Sequence, residues 1–252
     1  MARQYIGGVG KVSNGQVGVF AALTRGGLVG IAHARLYLPQ EWTDDAARCR
    51  SAGVVAGQYK TKPEMAAELV AELAGQGVCG DWVGGDAPYG NSPALLGARR
   101  AFVLDITPTR KVHLSDPALP PYGGAGPVSI EGVECLLADE RWRQITHRRG
   151  AKGLLVRQAA LVKVWLAKSG SEAASGPFWL LVSRETDGSQ IKFSLCHQTD
   201  GEPDVEVALG RQMQRYRRAG LPRRQAAVGH ASQRRTVSIR CVPTRPGATT
   251  SP

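Results

Sequence analysis

No run in this sequence approaches the ~18 apolar residues that a membrane-spanning helix needs. The opening, MARQYIGGVGKVS, lacks the apolar core of a secretory leader. Both absences point to a cytoplasmic protein with no membrane partner. The five cysteines (Cys49, Cys79, Cys135, Cys196 and Cys241) are scattered, with no CxxC pair. That excludes ordinary zinc-ligand spacing and fits reduced thiols better than disulfides. The stretch GGVGKVS imitates a phosphate-binding loop, but Tyr5 stands where that loop requires glycine, and Val12 where it requires Ser or Thr. Neither a G-x-S-x-G elbow nor an HExxH helix occurs. His33, His113, His147, His197 and His230 lie far apart without ligand spacing, and read as structural or surface residues. Acidic residues are missing altogether from positions 211–252, which hold ten arginines.

What remains is a chain of 252 residues, 42% hydrophobic and 21% charged, enough for one sizeable core plus an insertion. The net charge of +11 invites a nucleic-acid reading. Without the ten arginines of the tail, however, 22 basic residues face 21 acidic ones. The basicity therefore belongs to the tail, and the body is nearly neutral.

QVGVFAAL (residues 16–23) and the stretch from Leu28 to Leu38 read as two antiparallel strands joined by a turn at 25–27. PQEWTDDAARCRSAG predicts a short helix capped by Thr43. Asp44 and Asp45 then sit in its first turn, where they favour the positive end of the helix dipole rather than a metal. TKPEMAAELVAELAGQG predicts a longer helix: Thr61 and Glu64 form a capping box, and Met65, Leu69 and Leu73 recur every four residues. VCGDWVGG is then a buried strand, Ser92 caps a helix through PALLGARR, and AFVLDI is another strand. This order implies an α/β sheet with crossover helices. After Ile106 the texture changes to a Pro/Gly-rich linker over 107–127. Short β-like segments follow at 153–167, 178–184 and 190–197, which predict a mostly β insertion.

VGGDAPYGNS places a carboxylate, Asp86, where a buried strand breaks into a turn. Sites in open α/β sheets form beyond the carboxyl ends of strands, and a hard cation such as Mg²⁺ takes oxygen ligands there. Asp105, closing FVLDI, competes for the role, whereas Asp81 opens its strand and faces solvent. An unrelated metal-dependent nuclease using Asp86 and Asp105 is a third, weaker reading.

RQYIGGVGKVSNGQVGVF, RLYLPQEWTDDAARCRSAGV, YKTKPEMAAEL, GDAPYGNS and AFVLDI, with RRGAKGLL, VKVW, FWLLVSRETDGSQIKFSL and RQMQRY, together resemble bacterial insertion-sequence transposases of the DDE type, over roughly residues 3–216. The resemblance implies a ribonuclease H-like fold whose first three strands are antiparallel, with a β-rich insertion between the second and third acids. It also implies that three acids hold two Mg²⁺ ions for in-line attack on a phosphodiester. Transposon-end DNA is then the partner, with a transposase oligomer as a further one. Asp86 corresponds to the second acid, and so to a catalytic metal ligand.

Two departures from the family follow. Its first acid lies in an Asp-Asp-Thr strand upstream of RQY, where this sequence starts. The expectation is a core without its central first strand, leaving a bare edge on that strand's neighbours. Its third acid lies beyond the tyrosine matched by Tyr216, but nothing after Glu206 is acidic here. Codons permitted for GLPRRQAAVGH, read one base later, can spell Gly-Phe-Arg-Asp-Gly-Lys-Gln-Gln-Trp-Gly-Met, close to the family's missing helix. The resulting expectation divides the chain into a partial core (1–106), a linker (107–127), a β-rich insertion with return to the core (128–216), and a disordered or out-of-frame tail (217–252). Such a fragment is not expected to cut DNA, since one acid of three cannot hold two metals. The alternative is a non-catalytic module that binds DNA or an intact transposase and inhibits it.

Overall fold

The computed structural model describes residues 2–6, 11–25, 28–55, 57–78, 80–97, 100–118, 126–150, 153–167, 175–214 and 236–244. The chain forms two compact units, residues 1–80 with 233–252, and residues 81–232.

In the first unit, β1 (Ala2–Ile6), β2 (Lys11–Arg25) and β3 (Leu28–Tyr37) are antiparallel neighbours. The apolar run in β2 buries Val17, Val19 and Ala21. Two short helices follow, α1 (Gln40–Thr43) and α2 (Ala46–Ser51). The cap differs from the one expected: Asp45, not Thr43, accepts the backbone N–H of Arg48 at 2.8 Å. Thr43 instead turns its hydroxyl back to the carbonyl of Gln40. The Asp45 carboxylate, placed at the start of the second helix, satisfies an amide that Thr43, in the last turn of α1, cannot reach.

Helix α3 (Lys62–Gly75) has the predicted capping box of Thr61 and Glu64, and buries Met65, Ala66, Leu69, Val70 and Leu73. Arg35 of β3 binds Glu68 and Glu72 of this helix, and His33 meets Glu72 at 3.0 Å. Lys60 also reaches Glu68. These hydrogen bonds, that of Lys60 foremost, hold the Glu68 carboxyl below the usual carboxylate range.

The bare edge expected in this unit is not found along β2. Residues Thr236–Thr244, in the segment expected to be disordered, form β12, antiparallel to β2 from Thr24 to Gln16. Because β3 pairs the same part of β2, the two lie on opposite edges of it. Ile239 of β12 is buried, only 1% exposed. Alternating polar and apolar residues in TVSIRCVPT suit a strand whatever their origin. The rest of the predicted tail, 217–235 and 245–252, lies outside the described residues.

The second unit begins with β4 (Trp82–Gly85), all four residues buried. One-turn helices α4 (Ala87–Gly90) and α5 (Pro93–Leu96) cross over to β5 (Phe102–Asp105), which is parallel to β4. The expected plain turn after Asp86 is thus a helical turn, with Pro88 in its first positions, where a missing N–H costs nothing. Within the expected linker, β6 (Lys111–His113) is a short strand, followed by β7 (Val128–Ser129) and α6 (Ile130–Cys135). Strands β8 (Arg143–Gly150), β9 (Gly153–Leu166), β10 (Ser175–Glu185) and β11 (Lys192–His197) form the β-rich part, and α7 (Val205–Gln214) closes it. Their order is β4-β5-β11-β10-β9, with β8 and β6 end to end on the far edge of β9. One parallel pair in an otherwise antiparallel array makes the sheet mixed.

One face of this sheet buries Trp82, Val103, Cys196, Leu181 and Leu161 against Val205, Ala208 and Leu209 of α7. The strands are buried on the opposite face too, at Val83, Phe102, Leu104, Leu180 and Leu195. Among the described residues no helix is long and apolar enough to cross a membrane. Cys49 and Cys196 are buried, Cys135 is exposed, and none of the three joins a disulfide. Cys79 lies outside the described residues.

Candidate functional site

The parallel pair sets the site. Register matches Val83 with Phe102, Gly84 with Val103 and Gly85 with Leu104. One residue further on, Asp86 falls beside Asp105. Strand alternation puts Asp86 on the Trp82 side and Asp105 on the Val103 side, both on the face that α7 covers. Two acids thus sit together at the carboxyl ends of neighbouring parallel strands, where α/β sheets place their ligands.

Their surroundings differ. Asp86 is exposed and precedes α4 without capping it through its side chain. Asp105 is partly buried and accepts the hydroxyl of Ser194, its register partner on β11. Gln212 of α7 donates its amide N–H to that same hydroxyl oxygen at 2.9 Å, and its carbonyl accepts the hydroxyl of Ser183. Because Gln212 donates into the Ser194 oxygen, the serine proton is committed to Asp105. Gln212, Ser183 and Ser194 are fully buried. A polar chain of this kind fixes rotamers because every member would be costly to strand.

Gly90 holds α4 close to this corner. A Cβ built there would overlap the carbonyl oxygen of Asp105 and come within 2.8 Å of its carbon. Gly85 is similarly tight, with Leu104 and Tyr89 at 3.0–3.2 Å from a Cβ position. Gly85 and Gly90 are therefore packing requirements that let the helical turn lie on β5.

Of the other sequence candidates, Asp81 is exposed ahead of β4, Asp45 is a helix cap, and Asp44 ends α1. His33 is tied to Glu72, and the His197 ring packs near Phe102 and Phe178, with centroids 5.7 and 6.3 Å apart. His230 lies outside the described residues. Among the described residues, no three His, Cys, Asp or Glu side chains gather as metal ligands. The donor set at Asp86 and Asp105, two carboxylates, suits one hard cation that keeps several waters.

Sequence reasoning passed over Ser183, Ser194 and Gln212. The signal was there: each interrupts an apolar face, in LLVSRE, KFSLCH and VALGRQM, and an inward polar residue asks for a partner.

A scan against protein-family models matches residues 1–154 to the family described as DDE superfamily endonuclease. The chain belongs to that family. The DDE endonuclease match takes in β1–β3, α3 and the β4–β5 pair with both acids, and stops at the start of β9. Neither the curated proteins nor the solved structures gave a match. Membership implies a DNA substrate and transposase-type nuclease chemistry supported by divalent metal.

Proposed function

We propose that Asp86 is a metal-ligating acid of a transposase-type centre, the second of the family's three, and that Mg²⁺ is its ion. Asp105 is its register neighbour and stands behind it as a candidate. The observation that carries this reading is the pairing of two acids at the ends of β4 and β5 in a DDE endonuclease. Support for a ribonuclease H-like arrangement comes from antiparallel β1, β2 and β3 and from the parallel β4–β5 pair. Asp86, with Asp105 beside it, would hold the ion, which would supply Lewis-acid activation for the cleavage and joining of DNA strands in the ancestral, insertion-sequence reaction.

The chain taken alone is read here as binding DNA in the cytoplasm without cutting it. On the acid-bearing face, α7 offers Gln212, an amide, and no acid follows Glu206 in the sequence. Plasmid nicking with Mg²⁺ or Mn²⁺ tests both parts. The expected outcome is no nicking. Metal-dependent nicking abolished by Asp86→Ala would refute inactivity and support the ligand; nicking indifferent to Asp86→Ala would refute the assignment itself.

A second reading, a binding module that inhibits an intact transposase, is favoured by the ten arginines of 211–252. It predicts DNA affinity that falls steeply with salt. Loss of that affinity on replacing Arg217, Arg218, Arg223 and Arg224 with glutamine, which leaves β12 in place, assigns it to that arginine-rich segment, and retention assigns it elsewhere in the chain.

A further inference from the structure

We propose that Ser194 sets which divalent cation the acid pair accepts, by holding Asp105 to a single ligating oxygen. The inference rests on the metal-site reading above and adds a positioning residue to it.

Asp105 is restrained in backbone and side chain alike. The ladder between β5 and β11 runs past it, since the N–H of Ile106 donates to the Phe193 carbonyl at 3.2 Å. Helix α4 packs so closely that a Cβ at Gly90 would overlap the Asp105 carbonyl oxygen. Beyond the strand, the Thr107 hydroxyl donates to Oδ1 of Asn91 at 3.3 Å, and Asn91 donates to the Ala87 carbonyl at 2.8 Å. The segments that follow Asp86 and Asp105 are thus tied to each other. The Asp105 side chain is held as firmly: Oδ1 accepts the hydroxyl of Ser194, which is fully buried and fixed in turn by Gln212.

A carboxylate chelates an ion only when both of its oxygens can turn towards it. With Oδ1 committed to Ser194, Asp105 gives a cation one oxygen. Ca²⁺ fills a large, flexible shell and takes carboxylates through one oxygen or both. Mg²⁺ demands a compact octahedron, and keeps several waters beside one or two carboxylates. An acid pair in which one member is limited to a single oxygen therefore suits the smaller ion. Ser194 carries that preference without touching the ion. Outer hydrogen bonds of this kind orient a ligating carboxylate, and losing one costs about 10–100-fold in metal affinity.

The test follows Mn²⁺ binding to the full chain by electron paramagnetic resonance, because Mn²⁺ shares the octahedral oxygen preference of Mg²⁺. Mg²⁺ or Ca²⁺ is then added to displace it, and Asp86→Ala gives the background. The parent protein is expected to release Mn²⁺ at a lower concentration of Mg²⁺ than of Ca²⁺. Ser194→Ala releases Oδ1 of Asp105, and the preference for Mg²⁺ should fall about tenfold or more. Ser194→Cys, a weak donor of similar size, should shift it the same way and serves if the alanine variant does not fold. Ser183→Ala is the control: it removes a buried hydroxyl from the far end of the same polar chain and leaves the bond between Ser194 and Asp105 in place. It should lower the melting temperature yet keep the parental preference. A parental preference retained in the folded Ser194 variants, an equal shift in Ser183→Ala, or a parent that favours Ca²⁺ overturns the inference, with the metal site intact. No Mn²⁺ binding, or binding that Asp86→Ala leaves unchanged, overturns the site reading as well.

Discussion

Replacing Gly90 with alanine puts one methyl group against the backbone of β5. The atoms that it meets are the carbonyl oxygen and carbon of Asp105, with the Leu104 carbonyl oxygen at 3.3 Å. None is a side-chain end that can swing aside, so α4 or β5 has to move. Overpacking of this kind costs roughly 1–3 kcal/mol, and a rigid backbone neighbour argues for the upper half. At ~2–4 °C per kcal/mol for a chain of this size, the melting temperature should fall by at least about 4 °C. Gly75→Ala in α3 is the control, because nothing lies within 4 Å of a Cβ there. It should hold or raise the melting temperature, since alanine is favoured over glycine in a helix by up to ~1 kcal/mol. Differential scanning calorimetry on the three proteins gives the comparison. If Gly90→Ala melts with the parent protein, α4 does not pack on β5 as described, and the position of Asp86 beside Asp105 loses its support.

Thr61→Ala removes the cap of α3 and should cost about 1 kcal/mol in urea unfolding: the Glu64 backbone N–H loses its acceptor, while the N–H of residue 61 still donates to the Glu64 carboxylate. Glu64 and Glu68 both have pKa values lowered below 4.5, the first by hydrogen bonds from Thr61 and the second chiefly by Lys60. A depressed carboxyl stabilises the fold at pH values above its unfolded pKa. The contribution is lost as pH falls through the folded value, so helix α3 should loosen below pH 4.5, as read by amide exchange, and Glu68→Gln should flatten that acid limb. Gln212→Leu takes the acceptor from the Ser183 hydroxyl and one donor from Ser194, which keeps its bond to Asp105, and a loss of about 1–3 kcal/mol is expected in chemical denaturation; an unchanged midpoint would mean that Ser183 finds another partner.

Much of this was legible in the sequence wherever one local signal dominated. The capping box at Thr61 and Glu64, with Met65, Leu69 and Leu73 one turn apart, predicted α3 from its first residue. VGGD and FVLD announced strands ending in acids, because short apolar runs closed by a carboxylate leave few alternatives. Local signals failed where the deciding partner is distant. Lys111–His113 looked like linker because three residues carry no periodicity, and pairing with β7 and β9 makes them a strand. Asp105 and Gln212 are 107 positions apart in sequence, yet are joined through Ser194. Nothing within either segment could state that link. The Arg-rich end misled in a different way: composition suggested disorder, but nine residues with alternating character needed only a vacant strand edge to pair with.

That last pairing has a consequence for how the molecule is made. On a ribosome, β2 emerges more than two hundred residues before β12, and the whole of the second unit is synthesised between them. Domains generally fold as they appear, so the second unit has every segment it requires while one edge of β2 still waits. Assembly of the first unit then becomes a delayed closing step, in which a chain whose second unit is already made captures β12 along β2. During that interval an open strand edge is presented to every neighbouring chain, and the time taken to synthesise the stretch between β2 and β12 sets how long the exposure lasts.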